Sequence, residues 1–138
     1  MKMLVKNVRL AMTPFGPIIR LEGDKCALDM ASIAPAAFLG LASIVEEHDC
    51  EHCPEDACKN RRVKADGVMD YAALMKELTS KSKIDEVYIN GTTLNCAFVA
   101  EIKINGETRQ IVPSVGVLIA KAAGAPIYFD STLAQNQQ

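Results

Sequence analysis

The sequence predicts an α+β fold in which two similar halves, each strand-strand-strand-helix, form a mixed or antiparallel sheet with helices against it. Three observations predict this. Apolar and polar residues alternate at Leu4–Leu10 and again at Cys96–Ile104, the period-two pattern of strands with one face buried. Each half then reaches an apolar stretch at helical spacing behind a serine, Ser32 in the first and Ser114 in the second. Asn105-Gly106 separates two strand-like runs, and this pair suits a type I′ hairpin turn, whose two central residues need positive φ.

In the first half, strand 4–10 is followed by a turn at Thr13-Pro14-Phe15-Gly16-Pro17 and a second strand at Ile18–Leu21. Gly23-Asp24 marks another turn, and Cys26–Met30 is a third strand. Ser32 offers an N-cap for a helix to Glu46, with Pro35 in the first turn where a missing N–H is harmless. Ile33, Ala37, Leu41, Ile44 and Val45 keep its apolar spacing.

The second half begins at Ile84, with a strand at Val87–Ile89 and a turn signal at Asn90-Gly91. Strand 96–104 and its partner 108–112 flank the hairpin turn. A helix is expected over 115–123, capped by Ser114 and stopped by Gly124 and Pro126. Ile127–Phe129 reads as a short strand and Leu133–Gln138 as a frayed tail. A further helix, Met69–Lys81, sits between the halves, with Tyr71, Leu74, Met75 and Leu78 on one face.

The chain has 138 residues, 49% hydrophobic and 23% charged, which fits one globular domain spanning 1–138 rather than a disordered segment. A net charge of −2 lacks the basic excess that supplies non-specific affinity for phosphate backbones. Trp is absent and aromatics are few, so extensive base-stacking platforms are not expected. No apolar run approaches the roughly 20 residues of a membrane span. Met1–Lys6 has no long apolar core, so a secretory leader is not expected and the reading is cytoplasmic.

The sharpest chemical signal is His48-Asp49-Cys50-Glu51-His52-Cys53-Pro54-Glu55-Asp56-Ala57-Cys58, inside a polar insertion over 47–64. Three thiols fall within nine residues, and His48 or His52 can supply a fourth donor. Thiolate and imidazole donors in that number match tetrahedral zinc. An iron–sulfur cluster is the second fit, since it usually takes four thiolates. Cys26 and Cys96 lie in apolar strand contexts and read as small core residues. Asp85-Glu86 reads as solvated, Asp130-Ser131-Thr132 as a local cap, and Arg109 and Lys121 as surface charges.

Pro113-Ser114 opening a helix, then Leu118-Ile119-Ala120-Lys121, then Gly124-Ala125-Pro126-Ile127-Tyr128, together resemble the bifunctional nuclease (BFN) domain family. Helix 69–81 leading into Ile84-Asp85-Glu86-Val87-Tyr88-Ile89 fits the same pattern. The resemblance implies a mixed α+β fold, DNA and RNA cleavage and a homodimer, with Mg²⁺ or Mn²⁺ if the nuclease is active. Four departures remove polar groups from that pattern: Val112 where the family has Arg, Val115 where it has Asp, Pro35 where it has Glu, and Met69-Asp70-Tyr71 for a Thr-His-acid stretch. A metal-assisted nuclease needs carboxylates to hold its metal and place water. The expectation is therefore a metal-bound binding or regulatory module with weakened or lost nuclease chemistry, and catalytic residues are not assigned. An active nuclease and a thiol redox sensor using Cys50, Cys53 and Cys58 are the alternatives.

Overall fold

A computed structural model describes residues 1–14, 16–31, 37, 41, 48–50, 76–77, 79–93 and 97–135. Its strands are β1 (Lys2–Leu4), β2 (Asn7–Thr13), β3 (Gly16–Glu22), β4 (Ala27–Met30), β5 (His48–Cys50), β6 (Ile84–Thr92), β7 (Phe98–Ile104), β8 (Glu107–Ile111) and β9 (Ile127–Asp130). Two helices follow in the C-terminal part, α1 (Pro113–Ala123) and α2 (Ser131–Gln135). The fold is mixed α+β, with two sheets in place of one, in the orders β1-β9-β6-β7-β8 and β4-β3-β2-β5.

The two sheets are wired alike. In the first half β2, β3 and β4 form an antiparallel meander, the backbone is helical at Ala37 and Leu41, and β5 returns parallel to β2. In the second half β6, β7 and β8 form the meander, α1 crosses, and β9 returns parallel to β6. The returning strand of the first half, β5, is not in the sequence pattern, whereas β9 stands where Ile127–Phe129 reads as a strand.

Strand alternation supplies the core. Val8 and Leu10 on β2 register with Leu21 and Ile19 on β3, which in turn face Leu28 and Met30 on β4, and all six are buried. Val87, Ile89, Ala100, Ile102, Ile127 and Phe129 do the same in the five-stranded sheet. Ala37 and Leu41 are buried in the same cluster, which agrees with the helical spacing read from the sequence.

The run 4–10 is not one strand. It breaks at Val5-Lys6, where Val5 N–H donates to Ile127 O at 2.8 Å and Lys6 N–H to Glu22 O at 2.7 Å. Adjacent residues therefore bond to different sheets, and β1 becomes the edge of the second half's sheet, antiparallel to β9. Asn90-Gly91 is not a turn either. β6 runs through it to Thr92 with a register shift between Ile89 and Gly91, a bulge that absorbs the irregular residue while keeping the ladder.

Asn105 (φ 51°) and Gly106 (φ 81°) form the expected two-residue hairpin turn. Asp85 also acts there: its Oδ2 accepts Gly106 N–H at 3.1 Å, and Asn105 Oδ1 accepts Lys83 N–H at 2.8 Å. Asp85 and Glu86 are half-buried in β6, not solvated ahead of it.

Helix α1 starts two residues earlier than expected. Val112, extended at φ −62° and ψ 127°, is the cap residue, Pro113 opens the first turn, and Ser114 is fully buried within it. Proline fixes the φ a first helical residue needs, so the boundary falls at Pro113 without a side-chain cap. Gly124 ends the helix in the left-handed conformation at φ 71°. Of the tail expected to fray, 133–135 are helical, with Leu133 and Ala134 of α2 buried, and 136–138 lie outside the described residues. Of the helix expected over 69–81, Lys76, Glu77 and Thr79 are helical, Ser80 and Lys81 already form a turn, and 69–75 and 78 lie outside the described residues.

Candidate functional site

His48 and Cys50 of the cysteine–histidine cluster fall on β5, whose backbone registers with Leu10–Met12 at one edge of the four-stranded sheet. His52, Cys53 and Cys58 lie outside the described residues, as does Cys96. The edge strand thus lies within the segment 47–64 that the sequence marks as an insertion. Among the described residues, no three His, Cys, Asp or Glu side chains group closely enough to hold a metal ion. Cys26, expected in a strand core, is half-buried just before β4, with its Sγ 3.5 Å from Met3 Sδ.

A cleft of about 570 Å³ opens where the two sheets meet. One wall is the end of β4 with Met30 and Ala31, and the other is Phe98–Ala100 of β7 with Gln110–Pro113, running from β8 into α1. Its lining is mostly apolar, with polar side chains only at Asp29 and Gln110. Arg20 clamps Asp29 through Nε to Oδ1 at 2.7 Å and Nη2 to Oδ2 at 3.0 Å. A bidentate guanidinium occupies both carboxylate oxygens in the manner of an ion pair. Both partners are over a third exposed, so the pair adds on the order of 1 kcal/mol or less to stability. The cleft abuts Val112, one of the positions where the sequence departs from the polar pattern of the resemblance.

A second, polar locus lies on the face of the five-stranded sheet opposite its buried residues. Lys2 Nζ sits 4.9 Å from the Tyr88 ring centre and 4.5 Å from that of Tyr128, which are register partners on β6 and β9. It is also 2.5 Å from Glu86 Oε2, an ion-pair contact away from the hydrogen-bond direction. Cation–π contacts of this kind contribute roughly 0.5–2 kcal/mol and tie β1 to the sheet beyond its three-residue ladder. Burial pushes the Tyr88 phenol above its ordinary value, the Asp130 carboxylate adds to the shift, and the Lys2 ammonium opposes it.

Asp130 acts as the local cap the sequence suggests. Its Oδ1 accepts Thr132 N–H at 3.0 Å, the Thr132 hydroxyl at 2.9 Å and the Met1 ammonium at 3.2 Å. The Thr132 backbone bond leads in holding its carboxyl below the ordinary value, followed by the Thr132 hydroxyl and the N-terminus. Arg109 is exposed and paired with Glu107 at 3.1 Å, a surface role.

Sequence reasoning missed the cleft, because its two walls come from residues about seventy positions apart. The one local signal is Val112, an exposed apolar residue just before a helix-opening proline. No protein-family model matches the chain, and no curated protein is significantly similar to it. No helix of the described residues is long and apolar enough to cross a membrane.

Proposed function

We propose that this chain is a BFN-like domain acting as a binding or regulatory module, with nuclease chemistry weakened or lost. The observation that carries the reading is the apolar cleft beside the start of α1. A phosphodiester hydrolase needs several carboxylates free to hold a divalent metal and orient water. The cleft offers one acid, Asp29, already clamped by Arg20, and presents Val112, Pro113, Phe98 and Met30 in place of polar groups. Apolar concavities with few polar groups are what ligand-binding sites usually look like. The matching connectivity of the two halves supports the duplicated architecture.

In this reading Cys50, Cys53 and Cys58, with His48 or His52, hold a structural zinc that clips the polar insertion, so metal binding supplies local folding free energy. The module is a cytoplasmic homodimer able to take a protein partner.

Two measurements test the reading. An environment-sensitive apolar dye should bind wild-type protein saturably and lose that signal in Val112→Asp, a change at an exposed position. Equal dye binding by both proteins would remove the cleft from the account. Elemental analysis of tag-free protein purified without oxygen should find about one zinc per chain. A brown, iron-containing preparation would replace the zinc clip with a cluster and a redox role.

A further inference from the structure

The structure points to a particular occupant for this cleft: we infer that it takes an extended peptide segment of a partner protein, which adds as one more strand to the free edge of β8. The inference rests on the binding reading above and names its ligand class.

β8 ends the five-stranded sheet, and among the described residues no strand pairs with its outer edge. Hairpin register decides which backbone groups face outward. The two-residue turn at Asn105-Gly106 makes Ile104 and Glu107 a pair that exchanges ladder hydrogen bonds, and alternation extends this to Ile102 with Arg109 and Ala100 with Ile111. Thr108 and Gln110 occupy the intervening positions, so their N–H and C=O groups point away from β7. Both residues are exposed.

The same edge runs into the cleft. Gln110 and Val112 are wall residues, and Val112 is 55% exposed beside them. An extended chain satisfies both features at once. Its backbone ladders with Thr108 and Gln110, and its period-two side chains set an aliphatic residue against exposed Val112 at the cleft. A compact apolar molecule fills the cleft and leaves the edge open. A nucleic-acid strand lacks donors and acceptors at peptide spacing and meets no basic excess, because Arg109 is paired with Glu107.

The probe is an acetylated pentapeptide alternating Thr and Val, with a fluorescein-labelled lysine at its C-terminus, followed by anisotropy against the full chain. Saturable binding is expected. Methylating the central amide of the peptide, or making Gln110→Pro in the protein, should each weaken it by on the order of tenfold, the equivalent of one ladder bond. Gln110→Pro removes an outward N–H and leaves the β7 ladder intact, as edge strands tolerate. The methylated peptide gives the same readout without altering the protein. Binding indifferent to both changes overturns the proposal. No peptide binding alongside Val112-dependent dye binding overturns the peptide and retains the cleft, whereas loss of both removes the cleft reading too. A doubled mass in sedimentation that Gln110→Pro returns to monomer would assign the edge to a second copy of this chain and overturn the peptide proposal.

Discussion

Gly116 sets how closely α1 approaches the five-stranded sheet, and Gly116→Val tests that packing. A Cβ at this position would lie 3.0 Å from Val87 Cγ1 and 3.1 Å from Ile111 Cγ2. Carbon atoms sit comfortably at roughly 3.5–4.0 Å, so helix and sheet must part by about half an ångström or both neighbours must leave their rotamers. Val87 is fully buried in a strand bonded on both sides and has little room to move. Overpacking of this kind costs about 1–3 kcal/mol, and valine's two γ-methyls put the variant at the upper end. Removing glycine from a helix interior returns only a few tenths of a kcal/mol when valine replaces it. The net expectation is a loss of about 2 kcal/mol, seen as a lower urea midpoint at unchanged slope. Because Ile111 also lines the cleft, the variant should change dye binding too. A Gly116→Val protein as stable as wild type would show that α1 does not pack at this distance.

Other outcomes follow from the same structure. Phe129 is fully buried at the centre of the core, so Phe129→Ala should cost about 3–5 kcal/mol in denaturant unfolding. Asn105→Ala loses the side-chain bond to Lys83 N–H and places alanine at positive φ, which should cost about 1–2 kcal/mol by thermal or urea unfolding. The Asp130 carboxyl is held below its ordinary value, so its contribution is present above the unfolded value near pH 4 and is lost as pH falls through the folded one. Stability curves of Asp130→Asn should therefore fall less steeply than wild type below about pH 4. Tyr88 ionises above the ordinary range, so an ultraviolet titration compared with Tyr88→Phe should show its step shifted to higher pH.

What the sequence makes legible is local. Asn105-Gly106 and Gly124 with Pro126 specify a turn and a helix end through backbone conformations that few other residues accept, and both stand where expected. Alternation at 96–104 identifies β7 and its buried face, since Ala100 and Ile102 are both inward. The switch between sheets at Val5-Lys6 leaves only a weak mark. The alternation slips there, with Leu4-Val5 both apolar and Lys6-Asn7 both polar, but the partners that split the run, Ile127 and Glu22, are distant in sequence. Leu133 and Ala134 likewise look like part of a polar tail until α2 is seen packed on the core. Ser114 misleads because serine so often caps helices, whereas Pro113 fixes the start one residue before it. For the proposed metal site, only the backbone of His48 and Cys50 is described, on β5 at a sheet edge. The cleft is not readable, because apolar residues on two separated segments become a site only when both sheets are formed.

The claim that the cleft binds and does not hydrolyse is tested most directly by incubating purified protein with single- and double-stranded DNA and RNA, with Mg²⁺ or Mn²⁺, beside Asp29→Asn. A binding cleft shows no metal-stimulated cleavage that the Asp29 change abolishes. Metal-dependent cleavage lost in Asp29→Asn would contradict it and make the cleft a nuclease centre.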